Sequence, residues 1–152
     1  MARATTKRKA RPKSRSRVPS PFRVFISYSS HDSWIAEQIG KGIEGLGAKT
    51  WLDKHALKGG DEVRKKIIRG IRGSTEVIVL LSPESQESHW VSFEIGAALG
   101  RGKKNVTPIL HNLRVEDMGP LLQGFKAIYL NDFDTFLIEL KQRIKLWVDR
   151  KR

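Results

Sequence analysis

"TEVIVLLS", residues 75–82, holds five consecutive apolar residues, Val77 to Leu81, between polar ends. A run this short and this uniformly apolar suits a strand covered on both faces, and so one at the centre of a sheet. Working outward, "VTPIL" (106–110) and "KAIYL" (126–130) read as later strands, with an irregular stretch from His111 to Phe125 between them. A final helix sets Phe133, Phe136, Leu137, Leu140, Ile144, Trp147 and Val148 on a broad apolar face. In the other direction, Asp61 opens a helix through Gly70 and Ile71, preceded by the loop "KHALKGG" and the strand "AKTWLD" (48–53). Earlier still, "FRVFISY" (22–28) is a β-branched and aromatic run, and "SSHD" after it supplies helix N-cap residues. Trp34, Ile35, Gln38, Ile39, Ile43 and Leu46 then follow near helical spacing up to Gly47.

Strands that alternate with helices at this spacing imply right-handed crossovers and a parallel sheet. The expected fold is α/β and flavodoxin-like, with five parallel strands in the order 2-1-3-4-5 and helices on both faces. In such sheets ligands bind beyond the carboxyl ends of the strands, where strand order reverses. Here that place lies between strands 1 and 3, at "SYSSHD" (27–32) and "SPESQESHW" (82–90).

Net charge is +13, but residues 1–21 hold eight Lys or Arg and no acid; setting those eight aside leaves +5 for the rest. With three prolines and little hydrophobicity, residues 1–21 are predicted to be a disordered basic tail, and residues 22–150 the folded domain. The tail suits weak, non-specific contact with nucleic acid, or simply solubilises the chain. Absence of cysteine excludes disulfides and thiol catalysis. The histidines, His31, His55, His89 and His111, show no metal-ligand spacing, so no metal is expected. No apolar run reaches the roughly 18 residues of a membrane span. A cytoplasmic protein without membrane contact is the expectation.

Residues 88–100, "SHWVSFEIGAALG", form a predicted helix with one formal charge, Glu94. At helical spacing its neighbours three and four residues away are Trp90, Val91, Ala97 and Ala98, none able to pair with it. A carboxylate so placed either meets a cation from another element, such as Arg101 or Lys103, or is kept for a ligand. Trp90, one turn earlier, would then offer that ligand an aromatic surface.

"FRVFISYSSHD", "WLDKHALKGGDE" and "VIVLLSPESQESHWVSFEIGAAL", in that order, resemble a TIR (Toll/interleukin-1 receptor) domain of the bacterial kind over about residues 22–148. Trp90-x-x-x-Glu94 is similar to the family's Trp-x-x-x-Glu motif, whose glutamate is catalytic in members that cleave NAD. The resemblance implies that Glu94 acts at the ribose and that Trp90 stacks against the nicotinamide, with NAD+ as substrate and no resident cofactor. The product would be ADP-ribose or a cyclic isomer. Ser27, Tyr28 and Ser29 are candidates for hydrogen bonds to ribose or phosphate, as is Ser82; Asp53, at the predicted end of strand 2, could order the loop or reach substrate. Loop 54–61 resembles the segment that contacts a neighbouring subunit in active members, which implies homotypic self-assembly and a separate sensor or effector, in immune or antiphage signalling. "DKHALKGGDE" lacks the Pro-Gly pair of many animal receptor loops, which argues against receptor-type adaptor recognition.

Three rivals remain. A non-catalytic TIR scaffold has no evident need for the Trp90 and Glu94 pair. A response-regulator receiver would need an acidic pair after strand 1 and a phosphoacceptor aspartate after strand 3, where this chain has "SYSSHD" and "LLSPE". A nucleoside deoxyribosyltransferase, with a glutamate nucleophile on a similar fold, would be exposed by a nucleobase-exchange assay.

Overall fold

The computed structural model describes residues 20–55, 61–86, 104–120 and 122–152. Residues 1–19 of the predicted basic tail, most of loop 54–61, and the segment with Trp90 and Glu94 lie outside the described residues.

Five strands form one sheet in the order β2-β1-β3-β4-β5: β1 Arg23–Ser29, β2 Lys49–His55, β3 Glu76–Leu81, β4 Asn105–Leu110 and β5 Ile128–Tyr129. Every neighbouring pair is parallel. The described helices are α1 Ser33–Glu44, α2 Asp61–Arg72, α3 Pro83–Gln86 and α4 Phe133–Lys151. Successive side chains of a strand point to opposite faces, and both faces here are covered. On one, Val24, Ile26, Ile78, Leu80 and Ile109 meet Ala36 and Ile39 of α1 and Phe136 and Leu140 of α4. On the other, Phe25, Val77, Val79 and Leu110 meet Ile71 of α2 together with Met118 and Leu122. β3 is buried at every position, as its unbroken apolar run requires.

Some boundaries move. β2 runs on to His55 instead of ending at Asp53, because β1 continues to pair with it as far as Ser29. β5 keeps two residues where "KAIYL" predicts five, and pairs only with Ile109 and Leu110. The turn in which Phe125 N–H donates to Leu122 O (3.1 Å) delivers the chain to the sheet late. The helix predicted from 88 is preceded by α3, which begins at Pro83, a residue suited to a first helical position since it has no N–H to leave unpaired.

The strand-start edge is held by polar contacts. Glu76, 3% exposed, receives Arg143 of α4 in a two-point contact, Nε to Oε1 at 2.7 Å and Nη2 to Oε2 at 3.0 Å. Lys104 Nζ donates to the carbonyls of Ile71, Arg72 and Ser74 and so closes the C-terminus of α2. Those three acceptors use the three N–H bonds of an ammonium, although burial lowers the pKa of Lys104 from its ordinary value.

Candidate active site at the β1–β3 crevice

The sheet opens at one place. β1 pairs with β3 only as far as Ser27↔Val79. Beyond that level β1 stays with β2 through Ser29, and β3 stays with β4 through Leu81. The two central strands therefore part at their carboxyl ends, at the point where strand order reverses.

A carboxylate bridges the gap. Asp32, 5% exposed, precedes α1, and its Oδ2 accepts from Ser29 Oγ (3.0 Å) at the end of β1 and from Ser82 Oγ (2.5 Å) just after β3. Ser82 also accepts, through Oγ, from Ser85 N–H (3.3 Å), while Ser85 Oγ accepts from Ser82 N–H (2.8 Å). Two serines thus cap the start of α3 reciprocally, in the manner of a capping box. One chain of hydrogen bonds runs from the end of β1, through Asp32, into the segment that leads toward Trp90 and Glu94.

Charge gathers on the rim. The Glu84 carboxyl is held below the ordinary range, first by its own backbone N–H, then by the Ser82 hydroxyl, with smaller contributions from the His31 and His111 imidazoles. Glu84 is fully exposed, so its effect on stability is slight.

Of the residues singled out from sequence, Ser29 and Ser82 come together through Asp32. Ser27 is buried beside them at the last level where β1 and β3 pair, and its register partner on β2 is Asp53. Tyr28 turns the other way, into the apolar layer with Ala36 and Ile39. Asp53 lies two residues inside β2 and not at its end. Asp32 is an N-cap candidate within the crevice segment 27–32, yet its side chain makes no cap bond and spans the crevice instead. Among the described residues no group of three His, Cys, Asp or Glu could hold a metal ion, and no helix is long and apolar enough to cross a membrane.

Residues 24–149 match the family model of the TIR domain. The chain belongs to the TIR domain family. This TIR domain is 30% identical over 108 residues to a 2' cyclic ADP-D-ribose synthase of Bacteroides thetaiotaomicron, an alignment covering 66% of this chain and 38% of that protein. It is 27% identical over 114 residues to an NAD(+) hydrolase of a Theionarchaea archaeon, covering 72% of this chain and 33% of that protein. The chain thus spans well under half the length of these curated relatives. Among solved structures, the TIR domain of a Toll-related receptor from Hydra magnipapillata superimposes with a TM-score of 0.62 at 20% identity, over 80% of this chain and 97% of that one, and shows the shared fold. A metazoan TIR-STING receptor from C. gigas gives 0.63 at 25% identity, over 78% of this chain and 38% of that one.

Proposed function

We propose that this TIR domain cleaves NAD+ at the bond between nicotinamide and ribose, with Glu94 as the catalytic carboxylate and Trp90 as the stacking surface. The observation that carries this reading is Trp90-x-x-x-Glu94, placed a few residues after the crevice segment Ser82–Ser85, in a TIR domain whose relatives are named for making a cyclic ADP-ribose or hydrolysing NAD+. The chemistry asks little of the protein. Nicotinamide is cationic in NAD+, so it departs from ribose C1′ with the bonding electron pair as a neutral molecule and needs no proton from an acid. The positive charge that develops on the ribose is met by the Glu94 carboxylate. Attack on C1′ by water, with loss of its proton, gives ADP-ribose; attack by a hydroxyl of the same molecule gives a cyclic isomer. Ser29 and Ser82, buried and with their hydroxyls donating to Asp32, serve as the wall of the crevice. Homotypic assembly through loop 54–61 completes the active form, and a separate sensor or effector triggers it in an immune or antiphage setting. The protein is read as cytoplasmic.

The test is chromatography of the products of NAD+ with concentrated wild-type protein beside Glu94→Gln and Glu94→Ala. Nicotinamide release is expected from the wild type and a loss of at least about a hundredfold in both variants. Wild-type protein that releases no nicotinamide when concentrated or crowded favours the scaffold reading instead.

A further inference from the structure

At the edge of the sheet opposite the crevice, cations far apart in sequence come together. Arg23 and Lys49 begin β1 and β2 and are register partners, so their side chains leave the same face of the sheet, the α2 face that also carries Phe25 and Trp51. Arg23 is tied to the turn after α2 by its backbone, its N–H donating to Thr75 Oγ1 (3.2 Å) and its carbonyl accepting from Thr75 N–H (2.7 Å). That turn follows the last turn of α2, where Arg72 ends the helix and Arg69 Nε donates back to Lys65 O (3.3 Å). All four cations are exposed. Trp51 stands among them 44% exposed, edge-on to Phe25 at 6.1 Å between ring centroids.

Two features that would oppose an anion here are already neutralised. The C-terminus of α2 would present partial negative charge, but Lys104 Nζ occupies its free carbonyls. The Glu76 carboxylate, at the start of β3, is turned to the α4 layer and closed by Arg143. What faces solvent on the α2 side is positive charge around an exposed indole. The chain enters β1 at this same edge, directly after the eight cations of residues 1–21.

We propose that this surface of the folded domain binds single-stranded nucleic acid, with Arg23, Lys49 and Arg72 on phosphates and Trp51 as a stacking face for a base. Cations that follow a backbone, with an aromatic face among them, are the usual means of binding single strands without strong sequence preference. Strands of this length set the surface about 20 Å from the crevice, so a bound strand leaves the crevice open. The proposal stands apart from the reading of NAD+ cleavage.

The test uses the full chain and fluorescence anisotropy with a labelled 20-nucleotide single strand, the matching duplex, and vesicles rich in phosphatidylserine, between 50 and 200 mM salt. The wild type is expected to bind the single strand at least as tightly as the duplex. Arg23→Glu/Lys49→Glu/Arg72→Glu should weaken binding at least tenfold and lower the slope of log K against log salt by about 2, since each single-strand phosphate contact contributes roughly 0.7. Arg23→Gln/Lys49→Gln/Arg72→Gln should lower it in the same sense if charge reversal harms folding. Arg114→Glu/Lys126→Glu/Lys141→Glu makes an equal change in net charge elsewhere and should change binding much less. Four results would overturn the proposal: wild-type binding by the first triple variant, an equal loss in the control triple, a clear preference for duplex, or binding to vesicles without binding to the oligonucleotide.

Discussion

Asp32 shows how magnitudes choose between two local roles. As the residue before α1 it could cap the helix, a bond worth about 1 kcal/mol. Leaving the hydroxyls of Ser29 and Ser82 buried without an acceptor would cost about 1 to 3 kcal/mol each. The second demand is larger, and the carboxylate goes to the serines. Asp32→Ala is therefore expected to destabilise the domain by about 2 kcal/mol or more in urea unfolding. Ser82→Ala should cost less, and the double variant less than the sum of the two, because the interaction can be lost only once. Strict additivity would show that the 2.5 Å contact contributes nothing to stability. The sequence marks Asp32 as a helix-start residue, and only the fold reveals its second partner, 50 positions later.

At the scale of elements, α2 depends on a residue that helices disfavour. Gly70 costs about 1 kcal/mol relative to alanine in a helix interior. A Cβ at that position would lie 2.7 Å from Phe25 Cε2 and 3.3 Å from Trp51 Cε3. The Phe25 ring is fully buried and cannot withdraw into solvent. Overpacking of this kind costs about 1 to 3 kcal/mol, enough to cancel the gain in helix propensity. Gly70→Ala should therefore lower the melting temperature, by roughly 3 °C per kcal/mol of net loss for a chain of this size. A rise would mean that α2 can lift away from the sheet at little cost. The same comparison explains which elements were legible. β3 was plain because an unbroken apolar run has one economical place, the middle of a doubly covered sheet. "KAIYL" has strand composition, but the turn at Leu122–Phe125 decides where the chain reaches β4, and no composition records that. By sequence, "SPESQ" belongs to the crevice segment without a helix of its own, although proline at a first helical position and serines three apart are helix-start signals.

Across the whole molecule, strand order and the place of the crevice followed from the alternation of elements, because few topologies satisfy right-handed crossovers with short connections. The chemistry expected at the crevice was less visible: Glu94 drew notice as a charge among apolar neighbours, and the substrate proposed for it came from the family resemblance. Sequence placed the basic character in the tail, since Arg23, Lys49 and Arg72 are dispersed along the chain and only the parallel register and the end of α2 bring them to one edge. The brevity of β5 has a consequence in time as well as in shape. Up to the level of Ser27 and Val79, β1 and β3 have strands on both sides, whereas at Asn105–Thr107 β4 is paired with β3 alone among the described residues. Adjacent residues of a parallel strand direct their amides to opposite neighbours, so one of Val106 and Thr107 points its N–H away from β3. In deuterium oxide that amide is expected to exchange by local opening, roughly a hundredfold or more ahead of the amides of Phe25 and Ile78, which wait for global unfolding. Uniform protection across β3 and β4 would contradict this. The sheet is thus a barrier of unequal thickness to solvent, and its first losses of order under stress should begin at the outer margin of β4, leaving the paired centre that frames the crevice until last.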